Sequence, residues 1–591
     1  MELTAPARKQ KHWRFFAPEV GENTACQHMA KELAVDPLVA RLLFRRGIRS
    51  VDQATNYLHP KLTNLHDPAQ LPGVDTSVDR IERAVRNGQP IVIYGDYDVD
   101  GITASSILWH ILKLAGAQVS TYTPHRTDEG YGLNCKAIRQ LCQDDGETPL
   151  LISVDCGITA LEPAREARRC GVDLIITDHH EFDADGFPDA FAIVHPRLPG
   201  SKYPFGSLCG AGVAFKLAWQ FAKVHCGSER LPSTFREMLL DLLSLAALGT
   251  VADVVPLVDE NRVITSYGLG HIKHTRVNGL NALLDVSRLR DEKVDSYHVG
   301  FILAPRLNAC GRMGHAKDAV RLLTEAEPVE ATRIAKFITA ENNRRRATER
   351  TIFEEARQLV LDNHYDDDDN RAIVLGKQGW HAGVIGIVAS RLVDVFHRPT
   401  VLLRFEDGQA HGSARSVPSI SIHEAIQSCA HLLTSFGGHA MAAGLSLPTT
   451  HIESLRQGLV SYVNARLDPE AMVKVLEIDA DCTVSDLTFP LFEQIERLAP
   501  FGRDNPAPML CLRDAELVRS PECVGSDGSH LKLALRNGPH QIDAIGFGLG
   551  NRADELAMGR PLDLVFEPKI STWKGRRRME VQMKDLRPAQ M

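Results

Sequence analysis

The chain has 591 residues, of which 44% are apolar, 24% charged and 6% aromatic, and its 67 basic and 75 acidic side chains give a formal charge of −8. At roughly 150 residues per domain that length implies about four domains, and the composition is too apolar for a disordered chain. The acidic balance excludes a wholly basic nucleic-acid coat but not a local basic groove, because salt confines electrostatic fields to about 8–10 Å.

The opening fifty-odd residues read as small polar helices, with RLLFRRGI and VDQATNYLHP as the clearest. From Pro90 onward short β-branched runs alternate with amphipathic helices: IVIYG, TASSILWHILKLAG, QVSTYT, LNCKAIRQLCQ, PLLISVD, ALEPAREARRCG, VDLIITD and FAIVHP. That alternation predicts βαβ units and a parallel sheet. Helical text follows in AGVAFKLAWQFAKVH and FREMLLDLLSLAALG, and Pro328–His364, with no Pro or Gly inside it, predicts one long helix linking two bodies. The acidic run Asp366–Asp369 marks an exposed loop. A second α/β unit runs from RAIVLG through GVIGIVASRLVDVF and PTVLLRF to about Leu467, and the short strands LKLAL, IDAIGFG, LDLVFEPKI and MEVQM suit a small β-barrel. The expected divisions are a helical extension over 1–60, a catalytic domain over 61–327, the connecting helix over 328–364, a substrate-binding domain over 365–468 and a nucleic-acid-binding domain over 469–591. Twelve scattered cysteines with no C-x-x-C pair, no secretory apolar segment and no membrane-spanning run make the cytoplasm the expected compartment.

Chemistry concentrates at predicted strand ends. IVIY runs directly into Gly95-Asp96-Tyr97-Asp98-Val99-Asp100-Gly101, whose three crowded carboxylates are unfavourable unless cations neutralise them. A solvated Asp-rich turn is the plain alternative; an EF-hand fails, lacking a preceding helix and a Glu at the twelfth loop position. LLISV ends in Asp155-Cys156-Gly157 and LIIT in Asp178-His179-His180, while LGTVADVVPL offers Asp253 after an apolar helix. Asp155 alone reads equally well as a cap for the helix at Thr159, and Asp178 as the partner of a core histidine. Together these strand ends deliver carboxylates and imidazoles to one sheet edge, where ligands bind in open parallel sheets. With carboxylates in excess and no Cys in ligand position, the set suits Mn²⁺ or Mg²⁺ better than structural Zn²⁺.

GDYDVDG, SVDCG, TDHH and TVADVVPL resemble the four motifs of the DHH phosphoesterase superfamily, and HRTDEGYG, LAPRLNACGRMG, GSARS and GGHAMAAG follow in the order found in the RecJ single-strand exonucleases. PFGRDNPAP and WKGRRRMEVQMKDLRP extend the resemblance to the end, with Asp504 standing where the family often has glycine. The resemblance implies an α/β architecture: a parallel-sheet DHH phosphoesterase domain, a long connecting helix, a second, smaller α/β DHH-associated domain and a C-terminal OB-like β-barrel. It implies two divalent cations, Mn²⁺ or Mg²⁺, with Asp98 and Asp100 as a ligand pair, Asp96 nearby, Asp155 bridging, and His179 and Asp253 completing the set. His180 is implied to contact the scissile phosphate or protonate the leaving oxygen, so Asp155, His179 and His180 are the expected catalytic residues.

A phosphodiester needs fixed cationic donors, best given by guanidinium forks. Arg126, Arg306 and Arg312, with Asn308 beside them, and Arg415 stand among small residues, although any one of them alone reads as well as an exposed loop arginine. The resemblance implies that Arg126, Ser413 and Arg415 line the pocket for the 5′ end, and that Gly437, Gly438, His439 and Gly444 belong to a substrate-binding signature. Trp573, Lys574, Arg576, Arg577 and Arg578 pair an aromatic with a basic run, the makings of a single-strand groove or of a solvated turn beside a core Trp. A narrow channel between the two α/β bodies would admit one strand and exclude a duplex. The family activity implied is 5′→3′ degradation of single-stranded DNA to 5′-mononucleotides in recombination and repair, by a monomer acting with a RecQ-type helicase and a single-stranded-DNA-binding protein, and away from membranes. Two other readings are a phosphodiesterase for short oligonucleotides or cyclic dinucleotides, and a catalytically dead scaffold. Length and the added C-terminal domain weigh against the first, and intact ligand positions against the second.

Overall fold

The computed structural model describes residues 11–17, 19–124, 130, 132–143, 148–182, 186–313, 316–525, 527–573 and 576–589. The chain divides into two compact units, one comprising Met1–Arg14 with Ala340–Glu477 and the other Phe15–Thr339 with Ile478–Met591.

The larger unit is built on a five-stranded, all-parallel sheet in the order Val119–Tyr122, Ile91–Gly95, Leu150–Val154, Leu174–Thr177, Ala192–Val194. Its strands are apolar on both faces because helices cover both. Ile91, Ile93, Ile152 and Ile175 pack into one core with the helices Val74–Arg86 and Val99–Leu114, whereas Val92, Tyr94, Leu151 and Ile176 pack into a second with Cys135–Gln143 and Leu161–Arg169. The helices Gly210–Cys226, Ser233–Ala252 and Asp259–His271 add a layer to the first core, with Leu242–Thr250 fully enclosed. These layers bring the ends of two helices against the carboxyl edge of the sheet.

The C-terminal strands lie in the same unit. They form one curled sheet in the order Ala480–Cys482, Leu510–Leu517, Leu562–Trp573, Arg576–Pro588, His540–Gly546, His530–Asn537, Glu522–Val524. The barrel expected from the sequence is not closed: Leu510–Leu517 and His530–Asn537 meet over only Glu516–Arg536 and Leu517–Leu535, and a second junction, Ala544–Val581 and Ile545–Gln582, is equally short. An OB-like sheet is a partly open barrel of this kind. Its core includes Leu491, Phe492 and Leu510 together with Leu42, Leu43 and Leu58, so the N-terminal helices Pro37–Arg45 and Val51–Leu58 share the C-terminal core.

The long helix spans Pro328–Asp362, 35 residues, ending just before the Asp366–Asp369 turn. The smaller unit holds a mixed sheet in the order Ser435–His439, Ala442–Pro448, Gln409–Arg415, Thr400–Glu406, Ile373–Gln378, with the helix Ala382–Phe396 packed against it. Only its last two strands are parallel.

Candidate metal centre

Register fixes what the parallel sheet presents at its edge. Gly95 pairs with Val154, Val154 with Thr177, and Thr177 with Val194. The residues that follow, Asp96, Asp155, Asp178 and His195, therefore stand in a row at the carboxyl ends of adjacent strands. Asp155 leaves its strand at φ 60° while donating its N–H to Thr177 O at 3.0 Å; aspartate tolerates this left-handed backbone better than most residues.

Two helices and a helix end complete the ring. Asp98 caps Val99–Leu114, its Oδ1 accepting from the Asp100 N–H at 2.9 Å and the Gly101 N–H at 3.1 Å. Asp100, buried, is aimed at the N-terminus of Gly210–Cys226: its two oxygens accept the Gly210 N–H at 2.6 Å and the Ala211 N–H at 2.8 Å. A carboxylate at a helix N-terminus is held both by orphan donors and by the helix dipole. Asp253 sits at the C-cap of Ser233–Ala252. Into this ring points His179 Nε2, 3.2 Å from Asp155 Oδ1, 3.6 Å from Asp253 Oδ2 and 3.7 Å from Asp100 Oδ2. That nitrogen is buried and makes no hydrogen bond among the described residues.

Three overlapping sets bring ligand atoms within 4.8 Å of one another: Asp96, Asp98 and Asp155; Asp100, His179 and Asp253; Asp155, His179 and His180. Burial and then the neighbouring carboxylates push Asp155 well above its ordinary range, raise Asp98, and bring Asp253 to about 8. Burial pulls His179 down to about 4. Bare carboxylates packed this way repel one another, and divalent cations remove the repulsion. A hydrogen-bond-free ring nitrogen facing three carboxylates in an oxygen-rich set fits Mn²⁺ or Mg²⁺. The groups are positioned to hold metal.

Asp178 has a different task. It accepts from the N–H groups of His179, His180 and Ile158 at 2.7, 3.1 and 2.9 Å, and its Oδ1 lies 2.7 Å from His180 Nδ1. Burial opposes both charges, but the hydrogen bond and charge of the pair outweigh it, leaving Asp178 at about 2 and His180 at about 9. His180 thus has Nδ1 engaged and its ring oriented. Buried His195, which the sequence reading missed, lies 2.9 Å from His180 O through Nε2 and accepts the Arg197 N–H at 3.0 Å, fixing the loop from behind.

Two glycines were also missed, and close approach is the reason they are glycine. A Cβ on Gly210 would lie 2.6 Å from Asp155 Oδ1, and one on Gly249 2.5 Å from Asp100 Oδ1.

Arg306, Asn308 and Arg312 share the helix Ala304–Met313. Asn308 Oδ1 accepts the Val99 N–H at 3.1 Å, so it braces the Asp98–Asp100 turn, and Arg306 Nη1 donates to Ile302 O at 2.6 Å. Arg126 and Lys574 lie outside the described residues. In the smaller unit, Arg415 donates to Ser413 Oγ at 3.0 Å, and a Cβ on Gly386 would come within 2.7 Å of that oxygen. Ser413 pairs with Gly444, Gly437 with Gly444, and Gly438 with Ala443, while exposed His439 pairs with Ala442 at the hairpin end. The sheet therefore gathers Ser413, Arg415 and Gly444 side by side, with Gly437, Gly438 and His439 on its edge. In the C-terminal hairpin, Trp573 pairs with Arg576, Thr572 with Arg577 and Ser571 with Arg578. Arg576, Arg577 and Arg578 are all exposed, and Arg577 also donates to Glu493 at 2.7 Å and lies over the Phe489 ring.

Family models match in chain order: the DHH family N-terminal domain over residues 90–250, the DHHA1 domain over 369–465 and the RecJ OB domain over 478–585. The single-stranded-DNA-specific exonuclease RecJ of Bacillus subtilis is 39% identical over 559 residues, covering 94% of this chain and 69% of that protein. RecJ of Escherichia coli K12 is 31% identical, covering 93% of this chain and 96% of its own. The crystal structure of Thermus thermophilus RecJ in complex with Mn²⁺ superposes with a TM-score of 0.81 at 30% identity, over 98% of this chain and 80% of that one; the same protein with Mg²⁺ gives 0.76.

Proposed function

The chain belongs to the RecJ family of single-stranded-DNA-specific exonucleases, and on that premise we propose that it degrades single-stranded DNA from the 5′ end, releasing 5′-mononucleotides by metal-dependent hydrolysis. The observation that carries the reading is His179 Nε2, buried, without a hydrogen bond among the described residues, and facing Asp155, Asp253 and Asp100 within 3.7 Å.

Two divalent cations, when bound, supply water activation and charge neutralisation at the attacking and leaving oxygens of an in-line displacement. Asp96, Asp98, Asp100, Asp155, His179 and Asp253 would hold them, with the two-oxygen carboxylate of Asp155 shared. Among the described residues no other cluster combines carboxylates and imidazole in this way. His180, its Nδ1 tied to Asp178, holds a proton at Nε2 for the departing sugar oxygen or donates to the scissile phosphate. Asp178 and His195 keep that ring in register. Arg306 and Arg312, on the helix that braces the Asp98–Asp100 turn, would supply cationic donors to the phosphodiester. In the smaller unit, Ser413 and Arg415 would bind the 5′ end, and Gly438 and His439 belong to the substrate-binding signature on the edge of the same sheet.

The 5′→3′ direction rests on family likeness rather than on distances. So do a role in recombination and repair, a cytoplasmic setting, action as a monomer, and cooperation with a RecQ-type helicase and a single-stranded-DNA-binding protein. Among the described residues no helix is long and apolar enough to cross a membrane.

The test is a single-turnover reaction on single-stranded DNA labelled at either end, with Mn²⁺ or with chelator. Release of labelled mononucleotide at early times, from the 5′-labelled strand alone and only with metal, is expected. Turnover of a dinucleotide without cleavage of long strands would replace the reading with a small-substrate phosphodiesterase.

A further inference from the structure

Two aromatic rings stand in solvent next to the helix that braces the metal-site turn. Tyr297 is 56% and Phe301 71% exposed, and their centroids lie 4.8 Å apart with planes inclined by 31°. Two large, adjoining rings left exposed on a folded surface call for an occupant. Their backbone is held in place: Asp295 and His298 form a reciprocal cap, Ser296 Oγ donates to Phe501 O at 2.5 Å, and Val299–Leu303 is a π-helical turn, a geometry that recurs at functional sites. That turn runs directly into Ala304–Met313, whose Arg306 and Asn308 follow within two turns.

The occupant is indicated by what flanks the rings. Lys569 Nζ stands 5.8 Å from the Tyr297 centroid. Lys569 and Lys584 flank Glu567 at 3.2 and 2.8 Å, and with Arg578 these cations outnumber Glu567 and Glu580 on the hairpin face. On the hairpin Lys569 pairs with Glu580 and Ser571 with Arg578. Directly paired residues, and residues two apart along a strand, share a face. Exposed Arg578 is therefore on the same face as Lys569. The nearby acids each face a cation: Asp295 faces His298, Glu567 its two lysines, and Glu580 stands opposite Lys569 on the hairpin.

We propose that Tyr297 and Phe301 form a base-stacking platform for single-stranded DNA, continued by the hairpin face that carries Lys569 and Arg578. Exposed aromatics flanked by cations form the sequence-tolerant surface single strands use, rings taking bases and cations taking phosphates. This deepens the exonuclease reading and rests on it. The platform lies at one end of the helix bearing Arg306 and Asn308, so it receives the strand outside the hydrolytic centre and sets affinity for long strands.

The experiment measures equilibrium binding of a long oligothymidylate, by fluorescence anisotropy in chelator, for wild type and for Tyr297→Ala, Phe301→Ala and the double variant. A parallel set uses the same oligonucleotide with abasic sites replacing successive bases. Each single truncation should weaken binding by about tenfold, the scale of one lost base stack. Abasic replacement at some position should weaken wild type by a similar factor but leave the double variant unmoved. Phe301→Leu, which keeps apolar cover without a π face, should lose most of what Phe301→Ala loses. Wild-type affinity in the double variant, or an abasic penalty equal in wild type and variant at every position, would overturn the proposal. Failure of the exonuclease reading shows separately, as a wild-type protein that degrades no single-stranded DNA. Because both rings are exposed, thermal unfolding of the variants should match wild type, and a matched melt assigns any loss of binding to the surface.

Discussion

Asp155 occupies a backbone position that restricts its replacement. Its φ of 60° would strain alanine, whereas asparagine tolerates the left-handed region nearly as well as aspartate. Asp155→Asn therefore removes charge and leaves the fold. A ligand that binds only the native state raises its melting temperature. Mn²⁺ should accordingly raise the melting temperature of the wild type but not of Asp155→Asn, and scanning calorimetry with and without chelator reads the difference; equal shifts in both proteins would place the metal elsewhere. Asp178 makes a contrasting prediction. It faces His180, so Asp178→Asn should lower the single-turnover rate by roughly 10²-fold, within the range of general acid–base contributions. The Mn²⁺ concentration giving half-maximal rate should stay near the wild-type value. A large rise in that concentration would instead make Asp178 part of the metal site.

At the scale of elements, the C-terminal hairpin shows how register decides chemistry. Arg576, Arg577 and Arg578 are consecutive, yet side chains alternate across a strand. Arg577 and Arg578 are both exposed, but Arg577 pairs with Glu493 and lies over Phe489, while Arg578 is on the face shared with Lys569. Each phosphate contact adds about 0.7 to the salt dependence of single-strand binding. Arg578→Ala should therefore weaken DNA binding and flatten the slope of log affinity against log salt by roughly that amount, and Arg577→Ala should leave the slope unchanged. Titrations at several salt concentrations separate the two.

That contrast also marks what a sequence discloses. The basic run was visible, but which arginine meets Glu493 and which shares the Lys569 face depends on the pairing with residues 571–573. The metal cluster was legible because each of its strands is apolar up to the residue that carries the ligand, so strand ends could be counted directly. Gly210 and Gly249 were not legible, since their role is to let distant helices approach Asp155 and Asp100. Asn308, expected at the phosphate beside two arginines, also takes the Val99 N–H through its oxygen, a contact 209 residues away that no local pattern encodes. The partly open sheet escaped for the same reason: closure depends on two short junctions, not on strand content. Asp504, where the family often has glycine, sits at φ 58°, so the departure keeps the turn through a residue that tolerates the conformation.

At the scale of the molecule, one buried arginine fastens three distant stretches of the larger unit. Arg262, 3% exposed on the helix Asp259–His271, donates to Tyr57 O at 3.0 Å, Leu498 O at 2.9 Å and Arg497 O at 3.0 Å, and its guanidinium lies 3.7 Å from the Tyr57 ring centroid. Asn505 reinforces the same junction, its amide donating to Leu498 O and Pro500 O at 2.9 and 2.8 Å and its Oδ1 accepting from the Tyr57 hydroxyl. Nearby, Leu257 N donates to Arg503 O at 2.9 Å, a few residues after Asp253. The N-terminal helices, the helix layer behind the metal centre and the C-terminal sheet are thus joined by hydrogen bonds to carbonyls with little access to water. Removing the guanidinium takes the donor from Tyr57 O and Arg497 O at about 1–3 kcal/mol each, reduced where water can enter, while Leu498 O keeps the Asn505 amide. Arg262→Ala should therefore destabilise the protein by roughly 3 kcal/mol in denaturant titration. Lysine cannot reproduce the planar fork, so Arg262→Lys should recover less than half of that loss. Because the junction touches the segment after Asp253, the variant should also need more Mn²⁺ for half-maximal activity at temperatures where it remains folded. If stability falls while the metal requirement stays fixed, the junction holds the larger unit together without tuning its hydrolytic centre.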